Sequence, residues 1–176
     1  MNLHTRREVS LRFLSLLSVV GFVTRSRALD TGAQDRDENG ISRTCECIHQ
    51  EIEIKASRDR VYQALTDAKQ FSKVTDLVMP NAATTISPEQ GGAFSIFNGI
   101  ISGRTIEMVP SERLVQAWRE KNWEPGIYSL VKFQLKEQGT GTKLIFDQTA
   151  IPDGHAGHLA PGWKSHYWEP LQKYLA

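Results

Sequence analysis

Residues 157–175, GHLAPGWKSHYWEPLQKYL, decide the fold. Set out at ~100° per residue, Leu159, Trp163, Tyr167, Leu171, Tyr174 and Leu175 share one broad arc with Ala160, Trp168 and Pro170. Ser165, His166, Glu169, Gln172 and Lys173 fall on the opposite side, and Lys164 is the one misplaced charge. An apolar arc of this width, carrying two indoles and two phenols, needs a cover. The segments before it read as strands with one oily face each, so the expected cover is a sheet. Pro161 suits the first helical turn, where a missing N–H costs little. Pro170 lies deeper and is expected to kink the helix near His166.

Upstream, Ile48, Ile52 and Ile54 alternate with His49, Glu51, Glu53 and Lys55, which predicts a half-buried strand. Ser57 is placed to cap a helix with Asp59 in its first turn. Val61, Ala64, Leu65 and Ala68 mark that helix's buried stripe. A second short helix is expected over Gln70–Val74, and residues 75–91 read mostly as loop. A meander follows: strands over Ala93–Phe97, Ile100–Val109, Arg113–Glu120, Tyr128–Glu137 and Thr142–Ala150. Asn98-Gly99 signals a two-residue hairpin turn. Turns are also read at Pro110-Ser111-Glu112, Trp123-Glu124-Pro125-Gly126 and Gly139-Thr140-Gly141. Pro152-Asp153-Gly154 hands the chain to the last helix. The order is strand, helix, antiparallel strands, long helix: an α+β arrangement, in which a twisted antiparallel sheet curls around one helix.

The chain has 176 residues, a formal net charge of +1 and 40% hydrophobic residues. That suits one globular domain with a full core. Near-neutral charge argues against a general nucleic-acid binder. Residues 1–28 read as an export signal. Arg6, Arg7 and Arg12 make a basic start, and Phe13–Val23 is an apolar run too short for a stable membrane span. Ser26-Arg27-Ala28 offers small residues for cleavage. Thr5-Arg6-Arg7-Glu8-Val9-Ser10-Leu11 looks like a bacterial twin-arginine signal, which implies a periplasmic or secreted mature chain. If the signal is unused, the chain is cytoplasmic. Residues 29–46 read as a flexible lead-in, and 47–176 as the folded domain. Cys45 and Cys47 are the only cysteines. At i, i+2 a mutual disulfide is strained, so they read as two thiols at a strand start or as a link between chains.

Three stretches taken together resemble a known family: GGAFSIFNGIISGRTIEMVPSERLVQAWREKNWEPGIYSLVKFQL, TKLIFDQTAIP and GWKSHYWEPLQKYL. Gly91-Gly92, Asn98-Gly99, Trp118-Arg119, Trp123 with Gly126, and Gly162-Trp163 with Tyr167 carry the likeness by order and spacing. The family is the C-terminal-domain type of activator of heat-shock protein 90 ATPase homologues, within the SRPBCC, or START-like helix-grip, superfamily. The resemblance implies a curved antiparallel sheet gripping the C-terminal helix, with a cavity between them. It does not imply one activity, since relatives include carriers, receptors, cyclases and co-chaperones.

Within such a cavity Arg104, Gln116, Trp118, Phe133, Phe146, Trp163 and Tyr167 are the candidate ligand-lining residues. Arg104 is read on the face of Ile106 and Met108. The alternative is that it pairs with Glu107 or Glu120 at the rim, or that the register is off by one. His155 and His158, with Asp153, form a weak metal pattern. No H-E-x-x-H motif is present, so surface or capping histidines are preferred and no metal or cofactor is expected. Asp147 or His166 would be the acid–base group if the domain were a cyclase or hydrolase. No catalytic residue is assigned, because there is no Ser-His-Asp order and no phosphate-cradling loop. Three functions follow. The first is a non-enzymatic domain that binds a small hydrophobic or amphipathic molecule. The second is a co-chaperone-like module contacting heat-shock protein 90. The third is an enzyme using the same cavity.

Overall fold

The computed structural model describes residues 44–176. The export segment 1–28 and the lead-in up to residue 43 lie outside the described residues. The elements run β1 (Glu46–Ile54), α1 (Arg58–Thr66), α2 (Ala68–Asp76), β2 (Thr85–Ile86), β3 (Ala93–Ile96), β4 (Ile101–Val109), β5 (Arg113–Glu120), β6 (Ser129–Gln138) and β7 (Gly141–Ile151). The terminal helix follows as α3 (Ala156–Trp163), a π-helical turn (Lys164–Trp168) and α4 (Glu169–Leu175). The sheet has seven strands in the order β1-β7-β6-β5-β4-β3-β2, every neighbouring pair antiparallel. It is the expected curved sheet with a long C-terminal helix.

The meander is ordered by alternation. Leu114, Gln116 and Trp118 on β5, Val131, Phe133 and Leu135 on β6, and Leu144, Phe146 and Gln148 on β7 are all buried, while their neighbours face out. Leu159, Trp163, Tyr167, Trp168, Leu171 and Leu175 bury the helix on that face. In a regular α-helix, residues four apart drift round the axis, because four residues overshoot one turn. The π-turn rotates less per residue and cancels that drift. Glu169 N–H donates to the Lys164 carbonyl, the i→i+5 bond that defines the wider turn. Pro170 follows at once and has no N–H to give the His166 carbonyl. The irregularity expected near His166 therefore takes the form of a π-turn. Pro161 differs from expectation: it is the sixth residue of α3, beyond the first turn.

Ser57 caps α1, accepting from Arg60 N–H, and Asp67 both ends α1 and caps α2 through Gln70 N–H. This shared cap stops α1 at Thr66 and lengthens the second helix to nine residues. The β3–β4 turn is longer than its Asn-Gly signal suggests. Ile96 pairs with Ile101, so Phe97 to Ile100 form the loop. Phe97, Asn98 and Gly99 all take positive φ. This twist swings the Phe97 ring inward onto Tyr167, 5.8 Å between centroids. Gly103 on β4 cannot be replaced cheaply, since a Cβ there would lie 1.9 Å from the Ala117 carbonyl oxygen and 2.6 Å from the Phe94 ring.

Candidate functional site

The space between sheet and helix is filled by its own side chains. Trp163 is the hub: its ring lies 4.2 Å from Tyr167, 4.4 Å from Phe146, 5.4 Å from Trp118 and 6.1 Å from Phe133. The remaining gap, about 20 Å³, is lined by Gln116, Phe133 and Tyr167 among others. A gap of that size holds about one water molecule. Six of the seven candidate lining residues do meet here: Gln116, Trp118, Phe133, Phe146, Trp163 and Tyr167 are all buried.

The seventh does not. A bulge on β4 leaves Ile106 unpaired between the Thr105–Gln116 and Glu107–Val115 pairs. Alternation counted across it changes face. Met108 turns inward, while Ile106 and Arg104 face solvent. Arg104 donates to the Gly91 carbonyl at 3.0 Å. It pairs with neither predicted carboxylate: Glu107 makes a two-pronged bond with Arg113, and Glu120 faces two histidines.

Two polar links that sequence patterning did not single out hold the helix in register. Trp163 Nε1–H donates to Gln148 Oε1 at 2.7 Å, Gln148 Nε2 donates to Ser129 Oγ at 2.9 Å, and Ser129 Oγ–H donates to the Trp118 carbonyl. Trp168 Nε1–H donates to Gln50 Oε1 at 2.5 Å, and Gln50 Nε2 donates to the Ala160 carbonyl. Each indole of the terminal helix thus finds a glutamine on the sheet, satisfying donors that burial would otherwise strand. Gln148 takes an inward position in the β7 alternation, where a polar residue signals a required partner; only that anomaly could have flagged it. Trp118 Nε1 and the Tyr167 hydroxyl, by contrast, face each other closely but reach no well-formed hydrogen bond among the described residues. Burial pushes the Tyr167 phenol far above its usual pKa, with the nearby Trp118 indole opposing this in smaller measure.

The acid–base candidates point elsewhere. Asp147 lies on the outer face of β7, with His49 Nδ1 at 2.7 Å and Lys132 Nζ at 2.8 Å. His49, then Lys132, holds its carboxyl below the ordinary range. His166 is exposed and sets its ring edge-to-face with Phe97, at 6.3 Å between centroids. Neither enters the interior. Cys45 and Cys47 are free and exposed, and a bulge at Cys47 interrupts the β1–β7 register.

An open space lies where α3 begins, roomier than the groove of about 400 Å³ between β1 and the terminal helix. A cleft of about 720 Å³ is walled by Trp123, Ile127, Tyr128, Ile151, Pro152 and His155, with Cys45 and Asp153 at its rim. Its volume falls in the range of small-molecule pockets. Trp123 forms the inner wall and packs edge-on to Trp118 at 5.6 Å, so one indole separates cleft from interior. Arg119 braces the loop, donating to the Trp123 and Glu124 carbonyls and lying 5.7 Å over the Tyr128 ring. His155 stands at the head of α3 but caps nothing with its ring. Its Nδ1 instead accepts from Trp123 Nε1–H at 3.1 Å. Glu46 performs the cap, accepting from Ala156 N–H. His158 Nε2 lies 3.0 Å from Glu120 Oε2. Asp153, the sequence-level partner of these histidines, is not part of the cluster; Glu120, from the end of β5, takes its place.

Residues 55–176 match the family model described as activator of Hsp90 ATPase homolog 1-like protein. The chain belongs to this family. It is 24% identical over 130 residues to the human activator of 90 kDa heat shock protein ATPase homolog 1, covering 74% of this chain but 37% of the human protein. The Dictyostelium discoideum homolog is 35% identical over 89 residues, 50% of this chain and 23% of the relative. The chain therefore spans between about a quarter and little more than a third of the curated relatives it matches. Among solved structures, an HSP90 activator from Plasmodium falciparum superposes with a TM-score of 0.68 at 21% identity, covering 73% of this chain and 95% of that one. At that identity the likeness speaks for the helix-grip fold. Among the described residues no helix is long and apolar enough to cross a membrane.

Proposed function

We propose that the domain works by binding rather than catalysis, and that it holds a small apolar or amphipathic molecule in the cleft at the head of the terminal helix. The observation that carries this reading is a contrast of volumes. The space between sheet and helix is about 20 Å³, whereas the cleft behind Trp123 is about 720 Å³. Its aromatic and aliphatic wall of Trp123, Ile127, Tyr128 and Ile151 stands beside Asn122, Glu124, Asp153 and His155, a mixed lining that suits an amphipathic molecule. The binding place thus moves from the middle of the grip to its end. The probe 1-anilinonaphthalene-8-sulfonate tests it. Dye fluorescence should rise with one-to-one stoichiometry and fall severalfold in Tyr128→Ala and Ile127→Ser. Equal binding by these variants and the parent would end the reading. Native mass spectrometry of protein purified from its host would then identify any resident molecule.

A second reading, contact with heat-shock protein 90, is supported by the family match and the names of the curated relatives. Stimulation of the chaperone's ATPase by the full chain, or its capture on immobilised chaperone, would support it; neither occurring would remove it. Residues 1–28 support export through the twin-arginine route. Arg6→Lys with Arg7→Lys should trap the precursor in the cytoplasm, and unchanged fractionation would refute that. Export would carry the chain away from a cytoplasmic chaperone, so fractionation also tests the second reading, while the cleft reading stands in either compartment.

A further inference from the structure

At the rim of the cleft a carboxylate and two imidazoles converge. One Glu120 oxygen and one ring nitrogen from each of His155 and His158 lie within 4.8 Å of one another. Glu120 Oε2 is 3.0 Å from His158 Nε2 and 4.0 Å from His155 Nδ1. A tetrahedral metal ion with ligands at about 2.0–2.2 Å sets its donors about 3.3–3.6 Å apart, so the His158 pair would open slightly and the His155 pair close slightly. Three elements supply the set: the end of β5 gives Glu120, and the entry and first turn of α3 give the histidines, whose rings are 5.4 Å apart.

Two observations point to a cation rather than to a chance cluster. The Glu120 side chain is only 16% exposed, and among the described residues its ion-pair partners are these histidines, with no lysine or arginine. A carboxylate largely withdrawn from water requires a positive partner. The second observation concerns the tautomer. An indole N–H can only donate, so the Trp123 bond requires His155 Nδ1 to carry a lone pair. The same nitrogen lies 4.0 Å from Glu120 Oε2, so the donor atom that a metal needs is held beside the carboxylate.

We propose that Glu120, His155 and His158 form a binding site for a divalent cation of the zinc type, with the remaining coordination position left to water or to a donor atom of a molecule in the cleft. Mixed imidazole and carboxylate donors suit zinc and its neighbours, whereas magnesium and calcium favour all-oxygen sets. Binding requires two local changes. The His158 proton moves from Nε2 to Nδ1 or leaves to solvent, freeing Nε2 for the metal. The Trp123 N–H gives up His155 Nδ1 and turns to another acceptor.

The test uses the full chain with Cys45→Ser and Cys47→Ser, so that the thiols do not compete for metal. Zn²⁺ is titrated by calorimetry and Co²⁺ by visible absorption, while NMR follows the Trp123 indole N–H. The expected result is one ion per chain, intense visible Co²⁺ bands of a low-coordinate site, and a displaced Trp123 resonance. His158→Ala, at an exposed position, and Glu120→Gln, which keeps the side chain's shape, should each weaken Zn²⁺ at least about tenfold. Circular dichroism confirms that they fold. Affinity no higher than that of a His155→Ala/His158→Ala chain overturns the proposal. So does one-to-one Zn²⁺ binding that leaves the Trp123 resonance in place, since the ion would then sit elsewhere.

Discussion

The two ends of the Trp118–Trp123 contact behave as different materials. Behind Trp118 lies the aromatic interior of the grip, where Trp163, Phe146 and Val131 are at most 2% exposed and the indole of Trp163 is tied to Gln148. In front of Trp123 lies an open cleft edged with histidine, glutamate and free thiol. Both regions are rich in tryptophan, yet only one is closed. The difference lies in what the indole nitrogen meets. For Trp163 in the interior it meets a glutamine whose other end is also bonded. At the cleft it meets an imidazole, a partner that can be protonated or drawn to a metal. Dense aromatic packing alone thus does not define a site; the nature of the hydrogen-bond partner separates scaffold from workplace.

The contrast is most strongly tested at its hub. Trp163→Ala should cost ~3–5 kcal/mol and lower the melting temperature by on the order of 10 °C. A small shift would mean that the interior is not the rigid half of the comparison. Next comes Gln148→Leu, which keeps the bulk but strands the Trp163 and Ser129 groups. Denaturant unfolding should show a loss of about 1–3 kcal/mol, and a neutral result would show that packing alone holds the helix.

On the outer face, Asp147 supplies a weaker effect with a definite sign. His49 and Lys132 hold its carboxyl below the ordinary value, so the folded state gives up that proton more readily than the unfolded chain. Its contribution is fully present above the unfolded value and is lost as pH falls below about 4. Asp147→Asn should remove roughly 0.5 kcal/mol at neutral pH and flatten the acid limb of the stability curve there. A steeper limb would reverse the assignment. The smallest change is expected at the cleft: Tyr128 is 46% exposed, and Tyr128→Ala should shift stability by under about 0.5 kcal/mol. A large loss would make the cleft wall part of the scaffold.

The fold was legible because it rests on two periods. The spacing of Leu159, Trp163, Tyr167, Leu171 and Leu175 declares the helix, and the alternation along β5, β6 and β7 declares the sheet. What escaped was whatever breaks a period. The β4 bulge at Ile106 parted Arg104 and Ile106 from Met108, which alone of the three turns inward, because an unpaired residue leaves no trace in local composition. Phe97 looked like strand but serves the turn, since its ring is needed against Tyr167. The site was less legible for a related reason. His155 and His158 announce themselves by proximity, but Glu120 stands on another element and only folding brings it near. Six of the residues read as lining a cavity are buried, yet pattern reports burial, not emptiness. Whether apolar side chains surround a void or fill it depends on volumes that only coordinates give.

The π-turn carries a last consequence. It acts like a spacer ring set into a screw thread: the residues beyond it keep the same heading as those before. Straightening those five residues into ordinary helix, with none removed, would rotate everything after them by about a quarter of a revolution. Leu171 and Leu175 would then leave the sheet together, and the Gln50–Trp168 latch would open with them. The tail of this protein should therefore tolerate the loss of one residue from that turn, because the helix closes up to its usual pitch, better than any ligand or contact that forces the turn straight at full length.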